Sequence, residues 1–367
     1  MIVIADDITG AAEIAGIAFS RGHQVRLVCG STVCCDNVAA QTTVIATDTR
    51  SMSEAEAVAE TRRIASSIIH HPSPIFKKTD SALRGHVVAE LSALMEAAGY
   101  QRAVFLPANP SKGRIIKNGI YYINNVPIHE TDFSFDPEFP AKTSVLKERF
   151  PDAEEHGIIM PDAETVDDIR RVVNEYDEGK TLFAGAADLF SAVIGHNRET
   201  YHGDRPSDSS VCMANPGVSP HDTLILCGST QSKPLDLGIP IAPMPREVYD
   251  GSEDISQWNT SNYVETHNLI LTIPYTHRTG KKVAVHLRTV MAQKVKELIG
   301  QHRPGHLIIE GGATAWAILQ TLGWNQFDIV AQIAPGVVQM SATNGTLVTL
   351  KPGSYSWGSL FYNSANK

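Results

Sequence analysis

The stretch Lys77-Lys78-Thr79-Asp80-Ser81-Ala82-Leu83-Arg84-Gly85 brings two lysines, an aspartate, two hydroxyls and an arginine together just before a run with helical spacing, His86 to Leu94. Cations and hydroxyls at a helix start, where backbone N–H groups and the dipole already favour negative charge, suit an anion. The plainer explanation is an N-cap with solvated basic neighbours. A second polar group, Asp6-Asp7-Ile8-Thr9-Gly10, ends the apolar run Ile2 to Ala5. Two adjacent acids repel unless a cation or a proton-bearing ligand uses them, whereas a cap needs only one. Arg50, in Asp48-Thr49-Arg50-Ser51, is either a clamp for a ligand or a surface ion-pair partner. His129 has the same two sides, general base or hydrogen-bonded structural residue. Toward the C-terminus, Gly311-Gly312-Ala313-Thr314 follows a buried run and precedes a helix; paired glycines there let backbone approach phosphate oxygens. Gly228-Ser229 and Gly353 follow two further apolar runs in the same way.

These groups share one position, the carboxyl end of a strand, which is where open α/β sheets bind ligands. Strands are expected at Ile2–Ala5, Val25–Val28, Val44–Thr47, Ile75–Phe76 and Val104–Leu106, with helices between them. Gly119 to Ile128 reads as a β-hairpin turning at Asn124-Asn125. Another α/β round occupies residues 151–194, with apolar runs at Gly157–Met160 and Thr181–Ala184, and a polar, Pro/Ser-rich linker follows from about 195. A second unit opens at Thr223–Cys227 and continues through a strand at Asn268–Ile273. A helix from His286 or Arg288 to Ile299 and strands at His306–Ile309 and Leu347–Leu350 complete it, with Pro240 to Ser261 irregular. The expected fold class is therefore α/β, two α/β domains with mostly parallel sheets, residues 1–221 and 222–367.

Composition narrows the function. A net charge of -9 argues against nucleic acid as the main partner, though local cations still serve anionic ligands. Five cysteines (Cys29, Cys34, Cys35, Cys212, Cys227) with no C-x-x-C pair suggest reduced thiols rather than zinc or disulfides. No run approaches a membrane span, and Met1-Ile2-Val3-Ile4 reads at once as a strand, so the expected compartment is the cytoplasm. Gly179-Lys180-Thr181 is not a P-loop, because the preceding loop is acidic, and G-x-G-x-x-G is missing.

Taken together, Ile4 to Ala11, Lys78 to Gly85, Gly119 to Thr131, Gly311 to Thr314, Ala334-Pro335-Gly336 and Lys351 to Ser354 resemble the four-carbon acid sugar kinase family. The resemblance runs in order from residue 2 to about 355. It implies ATP-dependent phosphorylation of the terminal hydroxyl of threonate, erythronate or 3-oxo-tetronate, with acid sugar in the N-terminal domain and nucleotide in the C-terminal one. Residue by residue, it implies acid-sugar contacts from Asp7, Arg50, Lys78, Thr79, Asp80 and Ser81, and nucleotide contacts from Ser229, Gly311, Gly312, Ala313, Thr314 and Gly353. Glu310 and Ala313 depart from the family pattern, and an acid at Glu310 would repel phosphate.

Phosphoryl transfer is mainly positioning and charge stabilisation, with Mg²⁺ on the phosphates and a carboxylate orienting the attacking hydroxyl. Asp80 is the first choice for that carboxylate and Asp7 the second; Arg50 is the expected fork for the substrate carboxylate, and the protein ligands of the metal are not identified. Two rivals are a sugar-phosphate phosphatase and a non-catalytic sensor of acid sugar and nucleotide. The sequence leaves the particular acid and the oligomeric state, homo-oligomer included, open.

Overall fold

The computed structural model describes residues 1–30, 40–136, 138–176, 179–200, 222–228, 237–353 and 361. The chain opens on β1 (Ile2–Ala5), all buried, and turns at Asp6-Asp7 into α1 (Ile8–Ser20). Small residues on the buried side of α1 (Gly10, Ala11, Ala12, Ala15, Gly16, Ala18) seat it close to the sheet. There follow β2 (Val25–Cys29), β3 (Thr42–Ala46), α2 (Glu54–Ile68), β4 (Ile75–Lys78), α3 (Val87–Ala98) and β5 (Arg102–Leu106). The start of α2 is set by a reciprocal capping box between Ser53 and Glu56. Next, β6 (Arg114–Lys117), β7 (Ile120–Ile123) and β8 (Val126–Pro127) make a small antiparallel sheet. Asn124 and Asn125, at φ 50° and 67°, form the expected left-handed turn. This half closes with α4 (Leu146–Arg149), β9 (Ile158–Ile159), α5 (Val166–Glu175), β10 (Thr181–Gly185) and α6 (Ala187–Thr200).

The second half contains β11 (Thr223–Cys227), β12 (Ile241–Pro243), α7 (Arg246–Tyr249), α8 (Ser261–Thr266), β13 (Asn268–Thr272) and α9 (Lys281–Gln301). It ends with β14 (His306–Glu310), α10 (Gly312–Leu322), β15 (Gln326–Ala334), β16 (Val337–Ala342) and β17 (Leu347–Lys351). Among the described residues, no helix is long and apolar enough to cross a membrane.

The α/β class with mostly parallel strands holds. The strands of both halves join in one fourteen-stranded sheet, in the order β12-β13-β11-β14-β17-β16-β15-β2-β3-β1-β4-β10-β5-β9. The seam is the antiparallel pairing of β15 with β2 (Phe327 with Leu27, Asp328 with Arg26), which covers what would otherwise be an exposed edge in each half. Other expectations shift. The linker begins later, because α6 runs on to Thr200; residues 201–221, which end at the expected boundary, lie outside the described residues. The stretch from Pro240 to Ser261 contains β12 and α7 rather than being irregular throughout. Helix α9 begins at Lys281, not His286 or Arg288, with Gly280 at φ 106° before it; its exposed first turn carries no apolar stripe to read. The β15–β16 hairpin was hidden because its turn, Pro335-Gly336, reads as a loop end.

Gly185 tests the packing of β10 on β5. A Cβ there would lie 2.1 Å from the Leu106 carbonyl oxygen, a backbone atom that cannot yield. Gly185→Ala should therefore destabilise the protein by roughly 1–3 kcal/mol. Gly300→Ala, in α9 with open space around it, should be neutral or stabilising by up to about 1 kcal/mol. Equal denaturation midpoints for the two variants would contradict the close approach.

Candidate active site

Because β1 pairs in parallel with both β3 and β4, Ala5 stands beside Ala46 and Lys78, and the residues just beyond them meet at one edge. There a single guanidinium gathers three carboxylates. Arg50 Nε donates to Asp6 Oδ2 at 3.0 Å and Nη2 to Asp6 Oδ1 at 3.0 Å, while Nη1 donates to Asp7 Oδ2 at 3.1 Å. Asp80 Oδ1 lies 3.7 Å from Nη2. Asp80 is held more tightly by Arg84, whose Nε donates to it at 2.7 Å, and by the amides of Ala82 and Arg84 at 3.2 and 3.3 Å. Asp7 caps α1, accepting from Gly10 N at 2.9 Å and from the Thr9 hydroxyl at 2.5 Å. Capping and site are therefore not alternatives at Asp7; one oxygen serves each.

Burial opposes ionisation of all three acids, and the cations decide which ones resist it. Asp80 stays far below the usual carboxylate range because Arg50 and Arg84 outweigh its burial. Asp7 is also lowered, burial being outweighed by Arg50 and Lys78. In Asp6 burial wins over Arg50, with Asp7 adding repulsion, and its carboxyl is pushed up to about 6.

A second, fully buried pair supports the cluster from below. Lys77 and Glu90, each 1% exposed, meet at 2.5 Å, and the same Glu90 oxygen accepts from the Thr49 hydroxyl at 2.8 Å. Glu90 thus ties the residue before Arg50 to the residue before Lys78. Lys78 donates to the Thr79 carbonyl at 2.7 Å and lies 3.9 Å from Glu13, which also pairs with Lys112. The Thr79 hydroxyl is buried and, among the described residues, has no hydrogen-bond partner. Ser81 accepts a hydrogen bond from Arg114, and its carbonyl accepts from the Tyr121 hydroxyl at 2.6 Å. All six expected acid-site residues therefore come together, but Arg50 spends its fork on Asp6 and Asp7 and not on open space. His129 instead bonds Ser144 at 2.6 Å, the structural side of its two readings. Glu90 was missed as a site residue, and Asp6 and Arg84, read as members of the acidic and cationic runs, prove to be the partners of Arg50 and Asp80. Glu90 left a signal, a lone acid on the apolar face of α3.

The other half brings its groups to the carboxyl ends of β11, β14 and β17. Gly311, at φ 98°, turns the chain into α10, whose N-terminus has, among the described residues, no side-chain cap and no acid in its first turn. Gly312, Ala313 and Thr314 supply that first turn, and its uncapped N–H groups suit a phosphate. Thr314 fits closely against Gly228, where a Cβ would lie 2.4 Å from its Oγ1. Glu310 does not stand bare beside this turn: it is buried and paired at 2.5 Å with Lys351, which also donates to the carbonyls of Pro352 and Gly353. The expected repulsion of phosphate is thereby offset. Ser229 lies outside the described residues. The two edges touch: a Cβ on Gly312 would lie 2.5 Å from Thr9 Cγ2. These residues fit a nucleotide; the carboxylate linked to this turn, through Thr9, is Asp7.

Other features lie elsewhere. Asp222, His267 and His302 cluster at the amino ends of β11 and β13, but Asp222 is already engaged by His302 at 2.6 Å and Gly305 N at 2.8 Å. Hollows of about 520 and 300 Å³ lie along α9 and between β2, β3 and α10.

Comparison with known proteins agrees with this division. A sugar-binding N-terminal domain family matches residues 1–156, and a nucleotide-binding C-terminal domain family matches residues 263–355. A D-threonate kinase of Salmonella typhimurium is 33% identical over 150 residues, 40% of this chain and 35% of the relative. The chain spans about a third of the length of the curated relatives that it matches at this level. A 3-oxo-tetronate kinase of Haemophilus influenzae is 24% identical over 397 residues, 96% of each chain. A solved Haemophilus influenzae structure, 19% identical and covering 99% of this chain and 98% of its own, superposes with a TM-score of 0.71, a likeness of fold.

Asp6 yields a pH prediction. Its folded value of about 6 stands above an ordinary 3.8, so between those pH values the folded chain holds a proton that the unfolded chain has lost. Its contribution favours folding as pH falls from 6 toward 4 and opposes it above 6. Asp7 and Asp80 act in the opposite sense, losing their contribution only as pH falls through their lowered values. Carboxyl NMR should show one aspartate titrating near pH 6 that disappears in Asp6→Asn. No such group in the wild type would refute the burial argument.

Proposed function

The chain belongs to the four-carbon acid sugar kinase family, and from that premise we propose that it transfers the γ-phosphoryl group of ATP to the terminal hydroxyl of a four-carbon acid such as threonate, erythronate or 3-oxo-tetronate. The observation that carries this reading is the contact of Thr9 with Gly312, which joins a hydroxyl-binding carboxylate to an uncapped, glycine-lined helix start. The acid would occupy the first domain, residues 1–221, and the nucleotide the second, residues 222–367, with cytoplasmic ATP as donor.

Each group then has a task that its chemistry supports. The amides of Gly312, Ala313 and Thr314 receive phosphate oxygens, and Gly353, held by Lys351, borders them. Mg²⁺, when bound, would neutralise phosphate charge, and Asp7, joined to the α10 turn through Thr9, is a carboxylate of this chain that would hold it. Asp7 also orients the attacking hydroxyl. Its Oδ2 already accepts from an alcohol, Thr9, so a substrate hydroxyl can take the same acceptor. Asp80 and Asp7 both have their oxygens engaged, so what favours Asp7 over Asp80, the first expectation for that task, is its link to the α10 turn through Thr9; Asp80 holds Arg84 in place. Lys78, against the first turn of α1 beside Gly10, adds positive charge there. A loose transition state needs such positioning more than a strong base.

ADP release on mixing Mg-ATP with threonate, erythronate and 3-oxo-tetronate tests the activity. Binding of both ligands without ADP would leave a sensor, and phosphate released from a sugar phosphate without nucleotide would indicate a phosphatase. Asp7→Asn should lower kcat by about a hundredfold or more in a folded protein. Gly312→Ala should also lose turnover, and Thr9→Ser, which removes the methyl it would strike, should restore most of it in the double variant. Failure of that rescue would mean that the close approach of the two edges is not what Gly312 provides.

A further inference from the structure

The cations around the acid cluster are not all bound in the same way. Arg50 is within 4 Å of Asp6, Asp7 and Asp80; Arg84 of Asp80 and Asp136; Lys77 of Glu90; and Lys78 of Glu13. Lys112 is paired with Glu13 as well. Arg149 likewise has no carboxylate within 4 Å among the described residues, but the carbonyls of Leu83, Phe139 and Pro140 wrap it. Arg114 has neither among the described residues: no carboxylate lies within ion-pair distance of it, and its guanidinium donates to Ser81 Oγ and rests 5.7 Å from the centre of the Phe133 ring. It is half-buried, and its backbone is fixed by a reciprocal pair of hydrogen bonds with Asn109, at 2.7 and 3.1 Å. A positioned, partly desolvated guanidinium without a counter-charge is a receptor for an anion.

Its place is at the far end of a chain of contacts that starts at the α10 turn. The contacts run from Gly312 at the nucleotide edge through Thr9, Asp7 and Arg50 to Asp80, and next to Asp80 stands Ser81, which Arg114 touches. A hydroxyl at Asp7 and a carboxylate at Arg114 would place the two ends of the acid on opposite sides of the cluster. On the kinase reading above, we propose that Arg114, with Ser81 beside it, receives the substrate carboxylate and so sets the preference for acid over neutral sugar alcohols. Phe133, which also lies 5.8 Å from Arg84, shields the two guanidiniums on one side and limits their choice of partners.

The test is calorimetric titration of the full chain with threonate, erythronate and 3-oxo-tetronate, each beside its neutral polyol, and steady-state kinetics for whichever acid reacts. Arg114→Gln should weaken the acid by about tenfold or more and leave the polyol within about twofold, raising KM while kcat is kept. Arg114→Lys, which keeps charge and loses the fork, should fall between the two and serves if the glutamine variant unfolds. Equal loss for acid and polyol, or an acid affinity unchanged in both variants, would overturn the assignment while leaving the kinase reading intact. A wild type that binds none of the acids would overturn the kinase reading itself, and this inference with it.

Discussion

One guanidinium and three carboxylates set the terms for the acid site. Asp6, Asp7 and Asp80 come from two strand ends that the parallel register forces side by side, and without Arg50 their mutual repulsion in a buried site would have no local answer. Arg50 supplies it by dividing its donors, a two-pronged bond to Asp6 and a single one to Asp7. The division has a consequence for each acid: Asp6 retains proton affinity near pH 6, whereas Asp7 and Asp80 remain anionic. The buried Lys77–Glu90 pair holds both contributing loops to one carboxylate and so fixes where Arg50 can reach.

The same register argument extends across the molecule. Since β15 pairs with β2, the two halves share a sheet, and the first turns of α1 and α10 come into contact at Thr9 and Gly312. A side chain at residue 312 would separate them by its own width. The second glycine of the pair is therefore explained by the opposite edge of the site as much as by phosphate, and on the kinase reading it sets how closely donor and acceptor can approach. Lys351 plays the corresponding part within the second half, neutralising Glu310 and orienting the Gly353 carbonyl with one ammonium group.

Much of this was legible in the sequence because its signals are local. Apolar runs ending in polar turns marked the strand ends, and Asp7, Arg50 and Lys78 to Ser81 stood at them. What could not be read was pairwise. Whether Arg50 faces a ligand or Asp6 depends on a contact across 44 positions, and Lys351 with Glu310 on one across 41. The β2–β15 seam joins strands about 300 residues apart, on the order of the whole chain, and no periodicity encodes it. Exposed starts such as that of α9 were shortened in the reading because they carry no apolar stripe. Arg114 was overlooked for the reverse reason: the loop before it, rich in Pro and Gly, reads as a turn, and its charge stands out because, among the described residues, no carboxylate faces it.

The role of Arg50 separates an internal clamp from a substrate ligand, and one comparison decides it. The ratio of kcat/KM for a four-carbon acid to that for its neutral polyol should be measured in the wild type and in Arg50→Lys at fixed ionic strength. If Arg50 holds Asp6, Asp7 and Asp80 in place, both substrates lose together and the ratio stays within about twofold. A loss of about tenfold or more confined to the acid would show instead that Arg50 binds the substrate carboxylate.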